Sequence, residues 1–135
     1  MALGEVLGEA SGKIAAIRVL PDGKFEVSVQ GSGNLLGSAM TDMITYTAIM
    51  RPNGTAYGDA HEMAMSTNGD GALAEWTGAG VGKRTRQGGW RYPFGGAFQS
   101  ASSQKWARLL EVHTVGEYEV DAKGNYHWKT WEWKY

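Results

Sequence analysis

Cysteine is absent from the chain, proline occurs three times, and the formal net charge at pH 7 is only −1. With no thiol there is no disulfide framework, no cysteine nucleophile and no thiolate metal site. With no excess of basic residues there is no field to gather phosphates, and nucleic acid is not an expected partner. No apolar run approaches the ~18 residues that a membrane-spanning helix needs, so no membrane partner is expected either. The opening residues, MALGEVLGEASGKI, lack the basic n-region and the apolar h-region of a secretion signal. A soluble, cytoplasmic protein is the expectation.

What the chain does have is ordinary globular bulk with two departures. Its 135 residues suffice for one domain, residues 1–135, able to bury a core unaided. Hydrophobic residues make up 42% and charged ones 20%, which excludes a disordered chain. Glycine, however, occurs 20 times, so many positions need positive φ or close backbone approach. Six tryptophans, six tyrosines and three phenylalanines bury much surface per residue.

Turn signals recur at short intervals. PDGK at 21–24 separates KIAAIRVL from FEVSVQ, where Phe25, Val27 and Val29 alternate with Glu26, Ser28 and Gln30 in the period of a strand. GSGN at 31–34 breaks the chain again. RPNG at 51–54 suits a type I turn with a glycine bulge, and so a hairpin. TNGDG at 67–71, Gly88-Gly89, SASSQ at 100–104 and DAKGN at 121–125 mark further reversals. KWARLLEVHTVGEYEV, 105–120, reads as one long strand. The count is eight or nine strands, with no amphipathic helix beyond a turn or two near residues 2–10.

Strands joined by short turns form an antiparallel meander, and closing it removes both edges while giving the inward residues a core. The expected fold is all-β, a closed antiparallel up-and-down barrel of about eight strands, with a two-sheet sandwich as the competing arrangement. Glycines within strands, Gly37, Gly58, Gly95, Gly96 and Gly116, fit the bends of a small barrel. WEWK at 131–134 reads as the closing strand, within an aromatic stretch of Trp128, Trp131, Trp133 and Tyr135.

Several motifs look like chemistry and are not. TGAGVGKR at 77–84 imitates a phosphate loop, but Thr77 stands where its first glycine belongs, Arg84 replaces Ser or Thr, and no helix follows. It reads as a connection at a barrel rim. NGT at 53–55 matches a glycosylation acceptor but is better explained as turn chemistry. His61, His113 and His127 could meet across a barrel, yet they lack the paired spacing of metal ligands, so no metal and no cofactor are expected.

TAYGDAHEMAMS, 55–66, carries the most chemistry. Taking alternate residues, one face holds Tyr57, Asp59, His61, Met63 and Met65, and the other holds Ala56, Gly58, Ala60, Glu62 and Ala64. If the first face points inward, Asp59 orients His61 as a proton-transfer group, since an unpaired buried charge is expensive. If Asp59 instead sits in water at the rim, His61 is an ordinary core histidine. The bulge at RPNG decides whether Thr45 or Tyr46 lies opposite His61. Glu75, between Ala74 and Trp76, completes the candidate catalytic set of His61, Asp59 and Glu75. Tyr46, Tyr57, Met63, Met65, Trp76, Trp90 and Arg108 form the candidate ligand-binding set. Rings and thioethers would be its walls, and Arg108 either a fork for a carboxylate ligand or the ion-pair partner of Glu75.

The runs TDMITYTAIMRPNGTAYGDAHEMAM, AEWTGAGVGKR and WARLLEVHTVGEYEVDAKGNYHWKTWEWK resemble a group of small, functionally uncharacterised microbial proteins. That group is similar in shape to the allene-oxide-cyclase and dirigent barrels of the calycin-like architecture. The resemblance covers most of the chain beyond residue 40 and carries no catalytic signature. It implies an eight-stranded antiparallel barrel with an apolar lumen, often oligomeric. Three functions stay open. The first is a barrel that binds a small hydrophobic or aromatic molecule in an aromatic-lined lumen. The second is a cyclase- or isomerase-type enzyme using acid/base chemistry there. The third is a structural or partner-binding barrel with a filled core, in which a small-residue face such as Ala56–Ala64 makes a homo-oligomer contact.

Overall fold

The chain runs through β1 (Ala2–Leu20), β2 (Lys24–Leu35), β3 (Ser38–Met50), β4 (Ala56–Ser66), β5 (Leu73–Arg84), β6 (Trp90–Ala101), β7 (His113–Val120) and β8 (Asn125–Lys134). The computed structural model describes residues 2–134, so Tyr135 lies outside the described residues. Each strand pairs antiparallel with the next, and β8 returns to β1 to close an eight-stranded barrel. The closing ladder sets Val6 against Trp131 and Ala10 against Trp128. Closure pairs every strand with two neighbours around the barrel, and the sandwich alternative is excluded.

Alternation builds the core, as β3 illustrates. Met40, Asp42, Ile44, Tyr46 and Ala48 point inward and are buried. Thr41, Met43, Thr45 and Thr47 take the other side, where branched threonines favour extended backbone without needing burial. Val27, Val29, Trp76, Tyr92, Tyr118 and Trp128 join the same core from other strands.

The sequence signals misplace three local features. Residues 2–10 are strand rather than a helical turn. β2 continues through GSGN to Leu35, and the reversal is Leu36-Gly37, with φ of 49° and 78°. A two-residue turn with both φ positive has the twist that a hairpin needs. Leu36 is held there because its N–H donates to the Leu7 carbonyl at 2.8 Å and its side chain packs on the core. Gly31 and Gly33 serve the ladder instead. A Cβ on them would lie 2.0 Å from the Ser11 carbonyl oxygen and 1.9 Å from that of Glu9. At the opposite end β1 outruns β8, whose ladder with it stops at Lys13. Beyond that point β1 pairs with β2 alone and leaves Ile17 and Val19 exposed past the rim.

The third feature is the segment 105–120, which is not one strand. Gln104–Glu111 forms a 3-10 helix capped by Ser103, whose Oγ accepts from the Lys105 N–H, and β7 begins only at His113. Trp106 and Leu109 stand three residues apart, the repeat of such a helix, so both point the same way and both are fully buried. Trp106 Nε1–H donates to the Leu35 carbonyl at 3.0 Å, and Lys105 Nζ pairs with Asp70 at 2.6 Å. The helix thus plugs the barrel end where β2 finishes and β3 starts. Trp106→Ala should lower unfolding free energy by about 3–5 kcal/mol, as expected for deleting a buried ring. Lys105→Ala, which breaks a partly exposed pair, should cost no more than about 1 kcal/mol. Urea titrations of the two variants check this, and equal losses would show that the helix is held by its charge rather than by its plug.

Candidate functional site

The inner wall is built from rings and glycines in complementary places. A Cβ on Gly78 would lie 2.3 Å from the Trp76 ring, and one on Gly82 would lie 2.4 Å from the Tyr92 ring. Glycine therefore stands where a ring needs the wall to recede. The rings meet edge to face, Tyr46 with Tyr118 at 5.4 Å between centroids and Trp76 with Phe94 at 5.3 Å. Two of these rings donate to neighbours: Trp76 Nε1–H to Thr114 Oγ1 at 2.8 Å, and Tyr118 Oη–H to Tyr46 Oη at 3.2 Å.

Two carboxyl groups sit among these rings. Asp42 on β3 lies opposite Ala64, and Glu62 on β4 lies opposite Ile44, so the two acids are diagonal neighbours on one wall. Asp42 is 0% exposed and Glu62 8%. Asp42 Oδ2 accepts from Tyr126 Oη–H and from Trp128 Nε1–H, both at 2.8 Å. Gly31, opposite Asp42 on β2, makes this possible, because a Cβ there would stand 2.5 Å from the Tyr126 hydroxyl. No donor reaches Asp42 Oδ1 or Glu62 Oε2.

Two like charges buried side by side are prohibitive, so the pair retains a proton. Burial above all, then the charge of Asp42 and the hydrogen bond to it, push the Glu62 carboxyl well above the usual carboxylate range. A proton on Glu62, donated to Asp42, gives a partner to oxygens that otherwise have none. The negative charge stays on Asp42, where two donors hold it. Burial, then the Asp42 charge, also push the Tyr126 hydroxyl up, so it remains a donor.

Beside the pair lies a cavity of about 70 Å³, bordered by Glu62, Trp76, Tyr46, Tyr92, Tyr118 and Trp128. Its walls include no lysine, arginine or histidine. The site can thus present a neutral acid, backed by a fixed negative charge, to whatever fills a ring-lined space.

No protein-family model and no curated protein matches this chain. Solved structures do. A conserved protein of unknown function from Rhodopseudomonas palustris superposes with a TM-score of 0.77 at 12% identity, over 98% of both chains. A protein of unknown function from Clostridium acetobutylicum gives a TM-score of 0.80 at 13% identity, over 99% of this chain and 100% of its own. A beta-barrel like protein from Acinetobacter baumannii gives 0.74 at 17% identity, over 98% and 96%. At such identities the likeness is one of fold.

Against this geometry, the face of β4 proposed for the lumen is on the outside. Tyr57, Asp59 and His61 are exposed, and Met63 and Met65 are half-buried on the outer wall. The cause is steric: the inner side of β4 must be small, since Ala60 faces Tyr46 across the ladder and Gly58 lies against the Tyr92 ring. The register sets Thr45, not Tyr46, opposite His61. Glu75 is also exposed and accepts from Ser100 Oγ at 3.4 Å. Arg108, on the 3-10 helix, pairs with Glu5 at 2.6 Å and Glu132 at 3.1 Å rather than with Glu75.

The displaced residues are not scattered. His61, Met63 and Glu75 meet with Thr45, Thr77 and Gln99 in an open outer groove of about 460 Å³. Of the candidate residues, Tyr46 and Trp76 border the inner cavity, and Trp90 is half-buried beside Tyr92. His61, His113 and His127 are exposed on three different strands. Among the described residues no group of three or more His, Asp or Glu gathers as metal ligands would. The acids that matter were visible only as a break in alternation, Asp42 standing in line with Met40, Ile44 and Tyr46.

Because folding raises the pKa of Glu62, its contribution to stability is fully present below the unfolded value of 4.5 and is lost as pH rises through the folded value. Glu62→Gln keeps a donor for Asp42 and removes the titration. The two proteins should melt close together at about pH 4, and the variant should melt higher at about pH 8, by roughly 4 °C per kcal/mol regained. A gap between the melting curves that does not change with pH would contradict a raised Glu62.

Proposed function

We propose that the protein is a small-molecule-binding barrel whose ligand occupies the ring-lined lumen beside Glu62. The supporting observation is the cavity itself, about 70 Å³ of space bordered by aromatic rings and by Glu62. A single water needs only about 10–15 Å³, so this volume is more than a packing defect. Sites for drug-sized ligands run to about 300–1,000 Å³, so the ligand is small, a single ring or a short branched group.

A second reading is favoured by the acid pair. A carboxylic acid kept protonated next to a carboxylate is an arrangement that general acid/base catalysis uses. It suits an enzyme of the cyclase or isomerase kind. Glu62 and Asp42 would then do what His61 and Asp59, on the outer wall, are not positioned to do.

Titrating isotope-labelled protein with benzene, phenol and small alcohols tests the binding reading. Saturable shifts at ~1 mM or tighter, concentrated at Ile44, Ala60 and Trp76, are the expected result. Ala60→Leu, which fills the space, should abolish them. Shifts confined to the outer groove around His61, or none for any small molecule, would sink the reading.

A further inference from the structure

The geometry points to a small organic cation, of the protonated-amine class, as the ligand of the lumen; this rests on the binding reading above and narrows it. Two features converge on positive charge. The first is the pair itself: Asp42 and Glu62 are both buried, Glu62 borders the cavity, and among the described residues no lysine, arginine or histidine lines it. The second is the wall, where Tyr46, Tyr92, Tyr118, Trp76 and Trp128 surround the space. Aromatic faces attract cations, most strongly where water is excluded. Trp76, Tyr118, Tyr126 and Trp128 already spend their hydrogens on Thr114, Tyr46 and Asp42, and the charge held on Asp42 repels an anion from the same space.

The ionisable groups facing the pair can be named strand by strand. β3 contributes Asp42 and Tyr46, β4 Glu62, β6 Tyr92, β7 Tyr118 and β8 Tyr126. β1, β2 and β5 turn glycine, alanine and apolar side chains towards them. On the 3-10 helix, Lys105 and Arg108 are engaged with Asp70, Glu5 and Glu132. The tyrosines keep their protons, so only the acid pair can answer a cation. A cation against Glu62 favours its ionised form, so binding strengthens with rising pH and releases Glu62's proton to the solvent.

Isopropylammonium chloride and isopropanol, matched in shape, are the probes, titrated calorimetrically into the wild-type protein in two buffers of different ionisation enthalpy. Isopropylammonium should bind at least about tenfold more tightly than isopropanol at about pH 8, with affinity falling towards about pH 6 and a proton released on binding. Glu62→Gln should bring the two probes to similar affinity and remove the pH dependence. Isopropanol binding as well as or better than isopropylammonium to the wild-type protein overturns the cation assignment while leaving a ligand-binding lumen intact. If neither probe binds, while benzene and phenol also fail to shift the lumen resonances, the binding reading falls with it. The wild-type comparison decides the matter even if the variant does not fold.

Discussion

Two carboxyl groups set side by side inside an aromatic barrel cannot both be charged, and much of the interior is arranged around that constraint. Asp42 holds the charge because Tyr126 and Trp128 both donate to one of its oxygens. Glu62 holds the proton because it is buried beside that charge. Each condition depends on residues far away in sequence. Tyr126 reaches Asp42 only because Gly31 has no side chain, and Trp128 is placed by the ladder between β1 and β8 that closes the barrel. An open sheet would lose the pairing of β3 with β8 residues across the lumen, and with it the means of keeping two acids inside.

The same economy of space governs the rest of the wall. Large rings and bare backbone alternate around the barrel, so that Trp76, Tyr92 and Phe94 occupy ground left by Gly78, Gly96, Gly82 and Gly116. Small residues on β4 are therefore an interior feature: Ala56, Gly58, Ala60 and Ala64 make the floor on which rings from other strands rest. The bulky side of that strand is left for the outside, where Met63, His61 and Glu75 border a shallow groove. The barrel is plugged at one end by Trp106 and Leu109 and keeps a small residual space near its middle, against the acid pair.

The fold was legible in the sequence and the site was not, for one physical reason. Turn residues such as those of PDGK, RPNG and DAKGN act locally, so strand count, meander order and the closing role of WEWK could be read without tertiary information. Which face of a strand points inward is a different matter, because it depends on what lies across the lumen. On β4 the local rule that large apolar residues go inside favours Tyr57, Met63 and Met65. The rings of Tyr46 and Tyr92 override it by filling the space first. Leu36 in a left-handed turn and Trp106 on a 3-10 helix hide for similar reasons, since each is stabilised by burial that sequence alternation does not report. The break that did point to the site was Asp42, an acid on the apolar side of β3.

The proton shared by Asp42 and Glu62 is the claim on which the rest depends. It is tested most directly by following the side-chain carboxyl carbons of the two residues by carbon-13 NMR while pH is raised from acid to neutral. Glu62 should keep the shift of a neutral acid well past the usual carboxylate range, and the Asp42 carbon should respond when Glu62 finally titrates. If Glu62 instead ionises in the range of ordinary surface carboxylates, the interior holds two charges and no shared proton.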